Sequence, residues 1–226
     1  MEAEIAEGME ADVRHDYHDL VRADVVPHVP KSGGTLLDLG GGIGATAAHL
    51  KQLGHADRVG VVDLVRPDDG GPPIDFAYCG NLEDEHLIEE IIAAEGPFQT
   101  ILCLDILEHL VDPWRLVAQL HSGLAPGGVI VASIPNVRNF RALFPLLFLN
   151  RWTLRDTGIL DRTHLRFFVR SSAIELMTGS GLTLESVVPS PTDHWAIRLF
   201  RLLTLGLFNS FTDRSYIVRV RLTTSP

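Results

Sequence analysis

Residues 35–54, TLLDLGGGIGATAAHLKQLG, carry a short apolar run straight into a cluster of glycines and then into a segment with helical spacing. A strand that ends in glycine and resumes as a helix gathers backbone N–H groups at the helix N-terminus, where main chain alone can meet a ligand. The rest of the chain repeats the alternation. Apolar runs at Leu36–Leu39, Val59–Val62, Phe76–Tyr78, Thr100–Leu104 and Val129–Ile134 read as strands, and Leu182–Val188 and Tyr216–Leu222 alternate like two more. Helical spacing covers Ile43–Leu53, Glu83–Ala94 and Asp112–Gly123, the last opened by Asp112 as N-cap and Pro113 in the first turn. A further helix is expected at Ser172, where SAIE fits a capping box, and another across residues 13–26, stopped by Pro27 and Pro30. This order predicts an α/β fold: a doubly wound, mostly parallel sheet of seven strands with helices on both faces. The 226 residues suit one such domain, 1–226, in which 137–169 and 189–211 break the rhythm as cap or substrate segments.

With 29 acidic against 19 basic residues and a formal net charge of −10, the chain lacks the basic face that phosphate neutralisation needs, so nucleic acid is not an expected partner. Cys79 and Cys103 form no CxxC pair and lie in strand-like runs, so reduced and buried thiols are expected. The acidic opening is the wrong flank for a secretory signal, and no apolar run reaches the roughly 20 residues that cross a bilayer. The expected compartment is the cytoplasm.

Asp38 stands two residues before the first glycine, and the loop reads Asp38-x-Gly40-x-Gly42-x-Gly44. A carboxylate near the mouth of the site would repel a dianionic pyrophosphate and favour a ligand bearing sulfonium and ammonium charges. A nicotinamide-dependent oxidoreductase is disfavoured further because neither Lys31 nor Lys51 follows a tyrosine at Tyr-x-x-x-Lys spacing. Asp63 ends the second strand, where a carboxylate can accept both hydroxyls of a ribose. The glycine loop resembles motif I of the class I S-adenosylmethionine methyltransferases. FQTILCLDILEHLVDPWRLVAQLHSGLAPGGVIVASIPN resembles the fourth to sixth motifs of that superfamily, so the likeness runs in consistent order over residues 35–136. It implies a Rossmann-like methyltransferase fold, S-adenosyl-L-methionine as cofactor and an enzyme that transfers a methyl group. By the same resemblance Asp38, Gly40, Gly42, Gly44 and Asp63 surround the cofactor, and Asp105 and Ile106 line its methionine and adenosine side. Asn81 takes a position where the family often has an Asp against the adenine, with Leu82 beside it, and Tyr17 would fold over the methionine end. A catalytically silent relative of the same fold is the other class to weigh; the intact loop, Asp38 and Asp63 count against it.

SIPNVRN followed by DRTHLRFFVRSSAIEL resembles the branch that contains ubiquinone-pathway O-methyltransferases and small bacterial methyltransferases of sugar and natural-product pathways. The matches are Thr163, His164, Phe167 or Phe168, and the helix that follows. A small-molecule acceptor is implied, methylated on a hydroxyl of a sugar, natural-product or lipid-linked intermediate, with an amine as the alternative. A hydroxyl calls for a base near neutral pKa. His164 in the cap is the first candidate, set against a bland role as hydrogen-bond partner of Asp161, and His109 is the second. Asn136, Trp152, Asp161 and Arg166 are the candidate substrate-binding residues. Asp105, Glu108 and His109 also match an acidic-x-x-Glu-His pattern that holds magnesium in some related enzymes. The same LEH run is widespread without a metal, so a divalent metal is the lesser reading. His15, Asp16, His18 and Asp19 around Tyr17 read as a solvated helix face.

Two apolar segments, NFRALFPLLFLNRWTLRD and HWAIRLFRLLTLGLFNSF, mix Leu, Phe and Trp with Arg. They read first as a cap that packs on the domain. The sharper alternative is a peripheral membrane contact with Arg138, Arg141, Arg151 and Arg155 near lipid headgroups.

Overall fold

The computed structural model describes residues 21–65, 71–191 and 195–223. In chain order its strands and α-helices are β1 (Thr35–Leu39), α1 (Ala45–Gln52), β2 (Arg58–Asp63), β3 (Phe76–Cys79), α2 (Glu85–Glu95), β4 (Phe98–Leu104), α3 (Pro113–Gly123), β5 (Leu124–Pro135), α4 (Phe140–Leu149), α5 (Arg170–Thr178), β6 (Thr183–Pro189), α6 (Trp195–Leu203) and β7 (Ser215–Arg221). The seven strands form one sheet in the order β3-β2-β1-β4-β5-β7-β6. Strands β1 to β5 pair in parallel, and β7 runs antiparallel between β5 and β6. The expected doubly wound α/β architecture is therefore present.

The central strands are continuous apolar runs because helices cover both of their faces. Leu37 and Leu39 of β1 pack with Ile88 and Ile91 of α2, Leu116 and Leu120 of α3 and Leu176 of α5 on one side of the sheet. Leu36 packs with Ala47 and Leu50 of α1 and with Val25 and Val29 on the other. Each such side chain, fully buried, contributes about 1.5–3 kcal/mol relative to exposure. The chain leaves β1 for β2 and β3 on one side, then returns to β4 on the other. This reversal opens a crevice at the carboxyl ends of β1 and β4, the place where ligands bind in such sheets.

Several expectations are corrected. The helix across 13–26 does not extend through its described part: residues 21–25 are turn and coil, and Val26–His28 form one 3-10 turn with Pro27 in its first positions. The rest of that segment, with Tyr17, His15, Asp16, His18 and Asp19, lies outside the described residues. Cys103 is buried, but Cys79 is exposed, because β3 is an edge strand with only alternate residues covered. Strand β5 begins at Leu124 and absorbs the PGG turn as an irregularity in its pairing with β4, where Gly127 takes φ +75°. Helix α5 starts at Arg170, and Ser172 sits in its first turn, its Oγ accepting from the Val169 N–H at 3.0 Å, so the SAIE capping box does not open the helix.

Candidate active site

The glycine loop crosses the crevice at the end of β1. Gly40 has φ +70° and Gly44, the N-cap of α1, has φ +88°, a region that side-chain-bearing residues rarely adopt. A Cβ on Gly40 would lie 2.8 Å from the Ile106 side chain, so the bare backbone is what leaves room beside it. Asp63, at the end of β2, holds the loop from across the crevice. Its Oδ2 accepts from the Gly42 N–H at 2.8 Å and its Oδ1 from the Val65 N–H at 3.0 Å.

A cavity of about 320 Å³ opens on this loop, and Gly40, Asp63, Asn81, Leu82, Ile106 and His109 are among the residues that line it. Asn81 Oδ1 accepts from the Glu83 N–H at 3.0 Å, a local turn that aims the carbonyl along the chain. Leu82 is buried and supplies apolar wall.

Asp38 is not at the mouth of the site. It is 1% exposed, packed beneath the loop, and its Oδ2 has no hydrogen-bond partner among the described residues. Burial, with the negative charge of Asp63 nearby, pushes its carboxyl up to about 7. Alternation along β1 explains the position: Asp38 shares a face with Leu36 rather than with the crevice. A buried carboxylate under a glycine loop, its Oδ2 unpartnered among the described residues, favours a cationic ligand above and disfavours an anionic one, so the residues present fit S-adenosylmethionine.

Asp105 follows β4 in the left-handed region at φ +53°. Its Oδ1 accepts from the Ser133 hydroxyl at 2.7 Å, and its Oδ2 pairs with the Arg22 guanidinium. Arg22 also meets Asp24 at 2.9 Å and Ser133 at 3.1 Å, and its backbone N–H donates to Thr46 of α1 at 3.1 Å. Sequence reasoning missed Arg22. Its partner lies 83 residues away, and its only local signal is a cation in an acidic lead.

After β4 the chain makes a 3-10 turn, Leu107–His109. The Glu108 carbonyl accepts from the N–H groups of Leu165 at 2.8 Å and Arg166 at 3.0 Å, which draws the segment around residue 164 onto the crevice. Two imidazoles meet there, edge to face, with ring centroids 4.7 Å apart. His164 Nδ1 lies 3.1 Å from the Ile159 carbonyl, which only accepts, so this nitrogen carries the proton. Its Nε2 faces the buried Glu108 at 3.9 Å, and the side chain is 6% exposed. The bond to Asp161 weighed for this ring is not made; only the His164 backbone N–H reaches Asp161, donating to its carbonyl at 3.1 Å.

His109 is held differently. The Thr163 hydroxyl donates to Asp161 Oδ1 at 2.6 Å and so accepts from His109 Nδ1 at 3.0 Å. That fixes the proton on Nδ1 and leaves the Nε2 lone pair free on a ring that lines the cavity. Burial, with the His164 ring alongside, holds this imidazole below the usual histidine range. Burial and the nearby Asp105 charge push the Glu108 carboxyl well above the usual carboxylate range.

Glu108, His109 and His164 offer three donor atoms within 4.8 Å of one another, a set that could hold a divalent cation. The set is Glu-His-His and not the expected Asp-Glu-His, since Asp105 is taken up by Arg22 and Ser133.

The remaining candidates divide. Asn136 is fully buried, with Nδ2 donating to the Ser210 and Asp213 carbonyls at 2.8 and 3.0 Å and Oδ1 accepting from the Arg138 N–H. Its amide is spent on backbone and turned away from an acceptor. Arg166 donates to the Val111 carbonyl and lies 6.0 Å from the Trp114 ring. Trp152 stands edge-on to Phe167 at 5.3 Å, and Asp161 orients Thr163.

The profile of a family described as a methyltransferase domain matches residues 8–187. The chain is 30% identical over 166 residues to the ubiquinone biosynthesis O-methyltransferase of Psychrobacter arcticus, covering 70% of this chain and 62% of that protein. It thus spans a little under two thirds of that relative's length. Against the enzyme of the same name from Azotobacter vinelandii it is 29% identical over 185 residues, covering 77% of this chain and 75% of that one. Among solved structures, the S-adenosylmethionine-dependent methyltransferase of Mesorhizobium loti has a TM-score of 0.60 at 20% identity, over 89% of this chain and 99% of that one. The 1,6-didemethyltoxoflavin-N1-methyltransferase of Burkholderia thailandensis has a TM-score of 0.57 at 18% identity, over 98% and 90% of the two chains. These two share the fold. With the family profile spanning most of its length, the chain belongs to the class I S-adenosylmethionine-dependent methyltransferases, and it is an enzyme of that class.

Proposed function

We propose that this methyltransferase acts on a hydroxyl of a small-molecule acceptor, with His109 as the base that takes the hydroxyl proton. The observation that carries the reading is the chain Asp161–Thr163–His109, which holds a neutral imidazole in one tautomer on the cavity wall. S-adenosylmethionine, when bound, supplies a methyl group already activated by its sulfonium. Asp63, Asn81 and Leu82 would hold the adenosine end. Asp38, beneath the loop, would lend its negative charge to the ammonium end without touching it, and the Arg22–Asp105 pair would lie at the methionine end. His109 Nε2 would take the hydroxyl proton and pass it to solvent, the transferred methyl leaving S-adenosylhomocysteine behind. The order of the two histidines is thereby reversed: His164 would position its neighbour and close the crevice. The named relatives are O-methyltransferases of ubiquinone biosynthesis, which supports oxygen as the acceptor atom and a biosynthetic intermediate as its source. Two free thiols suit a reducing compartment, and we place the reaction in the cytoplasm.

The test is transfer of labelled methyl from S-adenosylmethionine to a panel of catechols, hydroxylated sugars and polyprenylated phenols. On the best acceptor, His109→Asn should lower kcat by roughly 10²–10⁴-fold with cofactor affinity unchanged. His164→Asn should cost less, and EDTA should leave turnover in place. Full turnover in His109→Asn would overturn the assignment. Loss on chelation with recovery in magnesium would hand the cluster to a metal.

A further inference from the structure

The two segments expected to pack as a cap do not bury their apolar side chains. Ala142 is the one buried residue of α4, and α6 buries none. Along α6, Trp195, Leu199, Leu202 and Leu203 recur at the spacing of one helix face, and Trp195, Leu202 and Leu203 are 72%, 70% and 74% exposed. In α4, Phe148 is 71% exposed, and beyond α6 Leu205 reaches 88%. An apolar surface on this scale is unusual on a lone domain and marks a docking face.

The two helices share one surface. The Asn139 side chain caps α4 through the Arg141 N–H and donates to the Asp213 carbonyl, while Arg201 of α6 pairs with Asp213 at 2.7 Å. The Arg138 guanidinium lies 4.5 Å over Phe211, which touches Phe208, which touches Phe200 of α6.

Charge identifies what the surface meets. Residues 137–155 and 195–211 contain six arginines and no Asp or Glu, in a chain whose net charge is −10, which leaves −16 on the remainder. Five of the six, Arg138, Arg141, Arg151, Arg155 and Arg198, are exposed around the apolar faces. Apolar faces rimmed by arginine suit an anionic lipid surface, with the side chains among acyl chains and the guanidinium groups at phosphates. A second copy pairing through the same face would set arginine against arginine. No helix among the described residues is long and apolar enough to cross a membrane, so the helices would lie in the interface plane.

We propose that the α4–α6 face docks on an anionic phospholipid bilayer and that the acceptor reaches the site from the lipid side. A line of rings joins the two places: Trp152 to Phe167 at 5.3 Å, Phe167 to His164 at 6.3 Å, and His164 to His109 at 4.7 Å. The acceptor route rests on the methyl-transfer reading; the docking does not.

Flotation of the full chain with vesicles tests it. Phosphatidylcholine containing phosphatidylglycerol should carry the protein, pure phosphatidylcholine should not, and added salt should weaken the association. Arg141→Glu with Arg198→Glu should lower vesicle affinity by at least roughly 25-fold, about fivefold for each arginine removed. Leu202→Glu with Leu203→Glu should abolish it, with thermal stability and S-adenosylmethionine binding retained in both pairs. Absence of binding to phosphatidylglycerol vesicles at low salt, or equal binding to both vesicle types, would overturn the proposal. So would a dimer in sedimentation that Leu202→Glu dissociates, since a second copy would then own the face. Failure of the wild-type chain to bind S-adenosylmethionine would sink the methyl-transfer reading and leave the vesicle result standing.

Discussion

Replacing Asp38 with asparagine removes a charge that the fold buries under the glycine loop, with no hydrogen-bond partner for Oδ2 among the described residues. The carboxyl rises from 3.8 to about 7, first through burial and then through the charge of Asp63, with Arg22 opposing. A raised acid makes the native state bind more protons than the unfolded one between these two values, so stability falls as pH rises through that window. The burial cost of the ionised form is about 4 kcal/mol above pH 7, and about 2 kcal/mol at about pH 5, where only the unfolded chain has ionised. The wild-type protein without cofactor should therefore lose about 2–3 kcal/mol from this one group between about pH 5 and about pH 8, and Asp38→Asn should remove that slope. For a chain of this size the difference is roughly 5–10 °C in Tm, within reach of thermal or urea unfolding at the two pH values. Cofactor binding should move the other way. A cationic ligand needs the carboxylate, so wild-type affinity for S-adenosylmethionine should fall by up to about tenfold per pH unit below about pH 7. In calorimetry at about pH 8, Asp38→Asn should bind roughly tenfold more weakly, through loss of the buried negative charge beneath the cationic end of the ligand. The reasoning fails if the variant keeps the wild-type pH slope of stability, or if it binds S-adenosylmethionine at full affinity.

Gly40→Ala places a side chain at φ +70° with its Cβ 2.8 Å from Ile106. It should cost about 1–2 kcal/mol in urea unfolding and weaken cofactor binding, because either the new methyl or a displaced Ile106 takes cavity space. Wild-type affinity would refute that packing argument. Asp63→Ala removes the acceptor of the Gly42 N–H and the carboxylate at the cavity wall. Calorimetry should show at least a roughly tenfold loss for both S-adenosylmethionine and S-adenosylhomocysteine, with Tm lowered only slightly. Equal affinity in the variant would take the ribose role away from this residue.

Much of the frame was legible in the order of residues. The central strands fall within a few residues of their apolar runs, because a parallel strand covered on both faces has no polar side to blur the pattern. Asp112 caps α3 through the Arg115 N–H as its position before Pro113 foretold, since an N-cap acts on neighbours only three residues away. Asp63 at the end of β2 and the glycines after β1 follow from the same local logic. The depth of Asp38 was half legible: the two-residue period places it with Leu36, but only the packing of α1 shows that this face is closed.

The remaining features are set by partners far along the chain. His109 is turned by Thr163, 54 residues on, and Asn136 spends its amide on carbonyls 74 and 77 residues away. Arg22 reaches Asp105 across 83 residues. The apolar segments are ambiguous as sequence, since the same leucines serve a buried cap or an exposed docking face, and only their exposure in the fold separates the two. By itself the sequence determined the layered α/β frame, the glycine loop and the charge asymmetry, because periodicity, capping and glycine conformation act over a few residues. The tertiary structure alone decided which histidine lines the cavity and which apolar face remains uncovered. Those outcomes depend on hydrogen bonds and packing between segments that only folding brings together.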